Sequence, residues 1–238
     1  MDAVQGGIIA AGASERFKQQ GIQTPKAMIE VAGSTLLEQT VNQFVDAGIM
    51  NLTVIFNEES APICVPWMKQ KFPNLNVNFI VKNTASSYES FLEVTARTDG
   101  RPTLITTVDS VFKPKTLAHL IQAAKNFPPG SLMLGVTRFI DDEKPLYVQM
   151  GEGHKILSLG SRPSEFVTNG VYLLPADLKK SDMHYPALRY FLMDRVAGKQ
   201  PIYGFDMGKS VDVDHPKDIE VAGLFLSSFK SGPSAAAN

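Results

Sequence analysis

A run of small residues followed by a cation stands near the start of the chain and has the composition of a phosphate-binding loop. Small side chains let an anionic ligand approach the backbone, whose N–H groups donate to phosphate oxygens, and the Arg16 guanidinium adds a rigid pair of donors. The run matches neither G-x-G-x-x-G nor G-x-x-x-x-G-K-S/T, and a turn that packs a strand against a helix is the alternative interpretation. Its small residues are Ala10, Ala11, Gly12, Ala13 and Ser14.

A second cation, Lys26, follows Pro25 and stands ten residues after Arg16. The order A-A-G-x-G/S-x-R, then P-K, an apolar stretch, a glycine and the start of a helix, resembles the nucleotidyltransferase superfamily that includes the sugar-1-phosphate pyrophosphorylases. The resemblance implies a glycosyltransferase-A-like fold and a loop, residues 10–14, that wraps the triphosphate of an NTP. It also implies catalytic roles for Arg16 and Lys26, which would neutralise the phosphates as negative charge builds up in the transition state.

Asp109 is the first acidic residue that could hold a metal. Phosphoryl chemistry on a nucleotide normally uses Mg²⁺, which takes one or two carboxylates and leaves its other positions to phosphate oxygens and water. Asp109 follows the apolar segment 102–107, and open α/β sheets bind ligands at the carboxyl ends of their strands. The superfamily carries its first metal-binding Asp at this place, so the resemblance assigns Asp109 to Mg²⁺. Capping the following helix is the alternative role.

Two further acidic residues, Asp212 and Asp214, stand near the C-terminus. Residues 211–219 resemble the superfamily motif D-I/V-D/G-T-P-E-D-L, in which a strand ends and a helix begins at the proline. The resemblance gives Asp212 the second metal position, and because alternate residues of a strand share a face, Asp214 could also reach the ion. His215 departs from the usual Thr. The four histidines of the chain are too scattered to predict a zinc site.

The second substrate is predicted to bind along residues 155–172. This segment is similar to the pattern v-x-x-f-x-E-K-P followed by N-x-G-V/I-Y in the hexose-1-phosphate members of the superfamily. Arg162 replaces the Lys that binds the sugar phosphate, Ser161 replaces the Glu that contacts sugar hydroxyls, and Asn169 is retained. The resemblance implies that Arg162 and Asn169 bind a phosphorylated acceptor, and the loss of the Glu argues against a standard hexose. A solvated arginine at the rim is the alternative for Arg162.

Residues 82–88 stand where relatives have a Gly-Thr-Ala-like loop that opens a helix. The segment keeps a threonine but has no glycine, so the resemblance implies nucleotide binding without identifying the base. The residues expected to bind the nucleotide here are Asn83, Thr84 and Ser87.

The elements that must position these residues follow a repeating strand and helix pattern in the first half of the chain. Short apolar and β-branched segments are spaced far enough apart for a helix between them, which is typical of a mostly parallel sheet with covering helices. Helices are predicted from a Ser34 cap to Gly48, and over residues 115–126 before two prolines. The predicted strands are 3–10, 52–56, 77–81, 102–107 and 131–136.

After about residue 137 the segments shorten, and a Gly-Glu-Gly turn predicts an antiparallel hairpin. The predicted elements there are strands over 146–150, 155–159, 167–174 and 202–205, a strand ending at Val213, and helices over 187–197 and from Pro216. We expect an α/β fold: a single-domain three-layer α/β/α sandwich with a mostly parallel mixed sheet and an added antiparallel hairpin. This domain would span residues 1–230, with residues 231–238 as a disordered tail.

The composition disfavours several classes of function. The 23 Lys and Arg residues against 24 Asp and Glu give a net charge of −1, so no basic face for nucleic acid is predicted. No apolar run approaches the roughly 20 residues needed to cross a bilayer. The lone Cys64 suits a reducing compartment. We therefore expect a cytoplasmic protein without a membrane or nucleic-acid partner.

Together these patterns predict a Mg²⁺-dependent nucleotidyltransferase that moves an NMP from an NTP to a phosphorylated small molecule, such as a sugar-1-phosphate, and releases pyrophosphate. Two alternatives stay open. Asp212-Val213-Asp214 is also a D-x-D, the pattern of metal-dependent glycosyltransferases that use a nucleotide sugar, and an inactive homologue that senses nucleotides would keep the same fold. The base, the acceptor and the oligomeric state are not identified by the sequence.

Overall fold

A computed structural model of the chain describes residues 4–98, 100–140, 143–178 and 183–230, which fold around one nine-stranded sheet. The strands are β1 (Gln5–Ala10), β2 (Glu30–Val31), β3 (Ser34–Thr35), β4 (Asn51–Phe56), β5 (Asn76–Val81), β6 (Thr103–Thr107), β7 (Ser110–Phe112), β8 (Leu132–Thr137), β9 (Tyr147–Met150), β10 (Ile156–Gly160), β11 (Phe166–Leu174), β12 (Ile202–Asp206) and β13 (Ser210–Asp212). The helices are α1 (Glu15–Lys18), α2 (Leu36–Asp46), α3 (Ala61–Lys71), α4 (Ser87–Thr95), α5 (Thr116–Ala124), α6 (Leu188–Ala197) and α7 (Pro216–Lys230).

The sheet has the order β10-β9-β11-β6-β1-β4-β5, with β8 beside β11 and β12 beside β8. Parallel pairs join β1 to β4 and β6, β4 to β5, and β8 to β12. Strand β11 runs antiparallel to β6, β8 and β9, and β10 runs antiparallel to β9. All strands of the sheet except β10 and β11 therefore point the same way, and their carboxyl ends meet at one edge. The added hairpin is β9 with β10, as predicted.

Alternate residues of the central strands supply two cores on opposite faces of the sheet. Ile8, Val54 and Leu104 pack in one cluster with α2, α3 and α5. Their neighbours Ile9 and Ile105 pack in a second cluster with α4 and α6. Because side chains alternate between faces along a strand, this division confirms the three-layer α/β/α sandwich. A third, smaller cluster joins α1 to β13 and α7.

The boundaries of the predicted elements agree with the structure to within a few residues. The predicted N-cap of α2 does not. Thr35 is the N-cap of α2, and its Oγ1 accepts a hydrogen bond from the Glu38 backbone N–H at 3.1 Å. The prediction of Ser34 as the cap is wrong because Thr35-x-x-Glu38 forms the capping pattern one residue later. The predicted strand start at residue 3 and the predicted tail, residues 231–238, lie outside the described residues.

None of the helices in the described part of the chain has the length and apolar character that a bilayer crossing requires.

Candidate active site

A cavity of about 520 Å³ opens at the edge of the sheet where β1 and β6 end, and we refer to it as the main cavity. All five small residues of the predicted phosphate loop, residues 10–14, line it. The Asn57 side-chain amide donates to the carbonyl oxygen of Gly12 at 2.9 Å, which fixes the loop to the end of β4. A Cβ built at Gly12 would meet nothing within 4 Å, so this wall is open to a ligand. The lining residues are 9–17, 26–27, 60, 84, 86–87, 90, 107–109 and 214.

Ser14 turns the chain from the loop into α1. Its backbone is left-handed, with φ 59° and ψ 26°, a conformation that is uncommon for a residue other than glycine. The Ser14 hydroxyl oxygen accepts a hydrogen bond from the Lys26 backbone N–H at 3.0 Å. Ser14 therefore ties the loop to the segment that carries Lys26.

Arg16 and Lys26 meet two carboxylates on the wall of the main cavity. The Lys26 ammonium donates to Asp109 Oδ2 at 2.7 Å and to Asp214 Oδ1 at 2.5 Å. Arg16 Nη1 donates to the other oxygen of Asp214 at 2.8 Å. The fold thus joins both predicted catalytic cations to two of the predicted metal ligands, although the four residues come from separate segments of the chain.

Opposing influences set the pKa values of this network. Burial alone would lower the pKa of Lys26, but the charges and hydrogen bonds of Asp109 and Asp214 outweigh it and raise that pKa above its ordinary value. Burial likewise works to raise the pKa of Asp109, and the Lys26 ammonium, helped by the Thr107 hydroxyl, lowers it instead. Both groups are therefore charged at neutral pH. The network is suited to binding ions and not to transferring protons.

Asp212, at the end of β13, contacts Ser110 of β7. Its Oδ1 accepts a hydrogen bond from the Ser110 hydroxyl at 2.7 Å, and Ser110 Oγ also lies 2.9 Å from the carbonyl oxygen of Asn169. Asp212 and Asp214 both line a small neighbouring cavity of about 40 Å³. Of the two, Asp214 alone lines the main cavity.

Asp109 and Asp214 could hold a Mg²⁺ ion whose other ligands are phosphate oxygens and water. Among the described residues, no group of three or more His, Cys, Asp or Glu side chains is arranged to hold a metal. Asp109 and Asp214 do share one cation, the Lys26 ammonium. Two hard oxygen donors, completed by phosphate oxygens and water, form a typical Mg²⁺ environment.

Hydroxyl groups at the start of α4 form another part of the wall. Thr84 and Ser87, both predicted to bind the nucleotide, line the main cavity, and Ser90 lies with its hydroxyl 2.6 Å from that of Thr84. Asn83 is not among the lining residues. Its side-chain oxygen accepts a hydrogen bond from the Glu58 backbone N–H at 3.1 Å, and its side-chain NH2 donates to the Glu58 carboxylate at 2.9 Å.

Four further polar residues line the main cavity although none of them was predicted as a site residue: Ser60, Ser86, Ser90 and Thr107. Of these, Ser86 alone carries a sequence signal. Its hydroxyl accepts from the Glu89 backbone N–H at 3.2 Å and caps α4, which is the S-x-x-E pattern of a helix start.

The two residues predicted to bind the acceptor do not line the main cavity. Arg162 is exposed and follows β10, at the far end of the strand order from β5. Asn169 is 2% exposed and lies where the pairing of β11 with β8 shifts register. Within the part of the chain that the structure describes, neither polar atom of the Asn169 side chain has a hydrogen-bond partner. The structure therefore buries Asn169 and leaves Arg162 at the surface.

Comparison with known proteins gives one family and two partial relatives. A model described as the MobA-like NTP transferase domain matches residues 6–141, more than half of the chain. Over 91 residues the chain is 28% identical to a 2-aminoethylphosphonate cytidylyltransferase of Lancefieldella rimae, covering 37% of this chain and 36% of that protein. Over 52 residues it is 36% identical to a bifunctional IPC transferase and DIPP synthase of Aquifex aeolicus, covering 22% and 12%. The chain thus matches about a third or less of the length of these relatives.

Solved structures extend the likeness to nearly the whole chain. An inositol-1-phosphate CTP transferase from T. maritima superposes with a TM-score of 0.78 at 20% identity, covering 98% of this chain and 99% of that one. An apo UDP-glucose pyrophosphorylase superposes with a TM-score of 0.76 at 13% identity, covering 95% and 98%. At such identities these structures show that the fold is shared.

Proposed function

Since this chain belongs to the MobA-like NTP transferase domain family, we propose that it is a nucleotidyltransferase, which moves an NMP from an NTP to a phosphorylated small molecule and releases pyrophosphate. The observation that carries the proposal is the convergence of Arg16 and Lys26 with Asp109 and Asp214 beside a loop of small residues. Two cations suit a triphosphate, and two carboxylates suit the divalent cation that accompanies it.

In the proposed reaction, an oxygen of the acceptor's phosphate or phosphonate attacks the α-phosphorus in line, while the bond from that phosphorus to the leaving pyrophosphate breaks. Arg16 and Lys26 would neutralise the charge that develops on the pyrophosphate. Positioning and charge neutralisation account for most of the rate enhancement in such transfers. The proposal needs no covalent enzyme intermediate and no proton transfer by Lys26 or Asp109, both of which are charged at neutral pH.

We propose Mg²⁺ as the cofactor, held by Asp109 and Asp214. When bound, the ion would neutralise and orient the phosphate oxygens of the NTP. Asp214 is preferred because it shares a cation with Asp109 and lines the main cavity. Asp212, the first choice from the sequence, is hydrogen-bonded to Ser110 and is the second candidate for the same position.

The names of two relatives guide the choice of substrates. One is a cytidylyltransferase for 2-aminoethylphosphonate, and the other is a CTP transferase for inositol-1-phosphate. We therefore propose CTP as the first donor to test and a small phosphonate or phosphomonoester as the acceptor. Because the reaction consumes an NTP, the cytoplasm is the proposed location.

On the acceptor side, Arg162 is the proposed ligand of the acceptor's phosphate. Its exposed guanidinium is available for a charge-assisted, two-point contact with a phosphate or phosphonate. Asn169 is buried in β11. We propose that it contributes to acceptor binding indirectly, by shaping the strand.

A matrix of the four NTPs against phosphorylated acceptors, read as pyrophosphate released in the presence of Mg²⁺, tests this proposal. The acceptors include 2-aminoethylphosphonate and inositol-1-phosphate. We expect acceptor-dependent pyrophosphate from at least one pair and none from Asp109→Asn. Turnover of a nucleotide sugar without an NTP would instead support the glycosyltransferase, and nucleotide binding without turnover anywhere in the matrix would support the sensing homologue. Either result would reject the proposal.

A further inference from the structure

The charged groups of the site are paired with one another in a way that the proposed reaction cannot retain. Lys26 contacts both carboxylates proposed for Mg²⁺, at 2.7 Å and 2.5 Å. Asp214 contacts both cations proposed for the triphosphate, using one oxygen for Lys26 and the other for Arg16. The carboxylates proposed to bind a cation therefore already contact a cation, and the cations proposed to bind phosphate already contact an anion.

We infer that the Lys26 ammonium occupies the position of the divalent cation beside Asp109 and Asp214, and that the Asp214 carboxylate occupies the position of a phosphate group beside Arg16 and Lys26. When the cation and the triphosphate bind together, Asp214 exchanges its contacts with Arg16 and Lys26 for the divalent cation, and Lys26 exchanges its contacts with the carboxylates for the triphosphate. This inference rests on the proposed function and specifies how the divalent cation and the triphosphate bind to the site. A divalent cation alone would leave the Lys26 ammonium beside a second positive charge. A triphosphate alone would draw Lys26 away from Asp109. Each ligand therefore binds weakly without the other, and each strengthens the other's binding to the same degree.

The burial of the four side chains explains why the coupling centres on Lys26. The Lys26 side chain is 13% exposed and that of Asp109 is 27% exposed, against 45% for Arg16 and 39% for Asp214. Leaving one member of a buried ion pair without its partner is strongly unfavourable, whereas an exposed pair separates at little cost. The Lys26–Asp109 pair is partly buried, so separating it without replacement ions costs more than separating the more exposed Arg16–Asp214 pair.

The backbone around Asp214 is fixed independently of its side chain. The Asp218 carboxylate accepts hydrogen bonds from the backbone N–H groups of Asp214, at 3.0 Å, and His215, at 2.7 Å. The exchange thus requires movement of the Asp214 side chain on a fixed backbone. A further carboxylate at the rim, that of Glu143, is exposed and lies 3.4 Å from Arg16 and 3.5 Å from His215.

The first experiment measures Mn²⁺ binding to the nucleotide-free full chain, by calorimetry or electron paramagnetic resonance. We expect Lys26→Met to bind Mn²⁺ at least about tenfold more tightly than the wild type, because two carboxylates lose the ammonium that competes with the ion. Lys18→Met is the matched control, since Lys18 pairs with the exposed Glu59 and does not line the main cavity, and it should bind like the wild type. Equal or weaker binding by Lys26→Met would overturn the inference.

The second experiment measures inorganic pyrophosphate binding in the presence of EDTA. Among the described residues, Asp214→Asn removes one of the two carboxylates that contact Arg16 and one of the two that contact Lys26, so we expect it to bind pyrophosphate at least about tenfold more tightly than the wild type. Asp206→Asn is the matched control, because Asp206 pairs with Arg138 and does not line the main cavity. A wild-type or weaker affinity in Asp214→Asn would contradict the inference.

Both measurements are independent of catalysis, so a failure of the NTP matrix and a failure of this inference are distinguishable. Thermal unfolding followed by circular dichroism checks that each variant is folded. If Lys26→Met does not fold, Lys26→Gln replaces it and carries the same expectation.

Discussion

Asp212 and Asp214 are separated by a single residue but have different surroundings, since Asp212 is bonded to Ser110 and Asp214 to Arg16 and Lys26. We expect Asp214→Asn to raise the Mg²⁺ concentration needed for half-maximal activity by about 10- to 100-fold, because an ion-binding carboxylate is lost. Asp212→Asn removes a carboxylate that faces β7 and should have a smaller effect. A Mg²⁺ titration of pyrophosphate release compares the two variants, and a larger effect in Asp212→Asn would return the metal site to that residue.

The sequence identified both acids and favoured Asp212. The argument that they share a face assumes a strand through Asp214, and β13 ends at Asp212. Beyond that point the alternation no longer applies, so Asp214 turns toward Lys26. The end of a short strand is set by its partner and has no local pattern.

Cys64 lies in α3 and is fully buried. Burial raises the pKa of its thiol from 9.0 to about 12, so the native thiol should not react with a disulfide reagent at about pH 8. Because the pKa is higher in the folded state than in the unfolded state, this group's contribution to stability is complete below the unfolded value and is lost as the pH rises toward 12. Rapid reaction of the native protein, at the rate seen in denaturant, would contradict the placement of this helix.

At the scale of elements, Gly170 determines the shape of β11 behind the site. It has φ +78°, and a Cβ there would lie 2.6 Å from Thr107 Oγ1. Gly48, with φ +74° and nothing within 4 Å of its Cβ position, is the matched control. Alanine at either position pays the left-handed backbone penalty, but only Gly170→Ala also displaces Thr107.

We therefore expect Gly170→Ala to reduce the free energy of unfolding by about 1–3 kcal/mol more than Gly48→Ala does. It should also lower kcat, since the Thr107 hydroxyl helps to keep the pKa of Asp109 low. Urea denaturation and the pyrophosphate assay measure the two effects. Equal losses of stability in the two variants would show that Thr107 moves aside freely.

The segment after β10 carries Arg162, whose role is predicted from its position in that segment. If Arg162 binds the acceptor's phosphate, Arg162→Ala should raise the acceptor KM by about tenfold or more through the loss of a charge-assisted contact. The KM for the NTP should stay unchanged, and Arg162→Lys should recover part of the loss because the two-point geometry is gone. An unchanged acceptor KM in Arg162→Ala would move the search to two other cations beside the hairpin: Arg138, which follows β8, and Lys144, which precedes β9.

The regular elements could be predicted from the sequence because apolar runs and helix-stop residues repeat along it, whereas the pairing of β7 with β13 could not. That pairing joins Ser110–Phe112 to Ser210–Asp212 and brings Ser110 to Asp212 across 102 positions. Strands of three residues are too short to show a period, and contacts between distant segments leave no local signal. This is why Asp212 was identified as a candidate from the sequence while its hydrogen-bond partner Ser110 was not.

At the scale of the whole molecule, the fold places all the predicted phosphate and metal ligands of the first half of the chain at one edge of the sheet. Parallel strands β1 and β6 end there, so Arg16, Lys26 and Asp109 follow from the topology once the strands are known. The proposed acceptor residues, Arg162 and Asn169, depend instead on the loop after β10 and on a register shift in β11. A sequence pattern fixes neither of these, so the position of Arg162 and Asn169 relative to that edge could not be derived from the sequence.

The most direct test of the account follows the phosphorus atoms of the donor. CTP, and then the other NTPs, are supplied with radioactive phosphorus at either the α or the γ position, together with the acceptor and Mg²⁺. The account predicts that the α label appears in the acceptor product and the γ label in pyrophosphate, and that Asp109→Asn abolishes both. Appearance of the γ label on the acceptor, or no acceptor-dependent movement of label from any NTP, would contradict it.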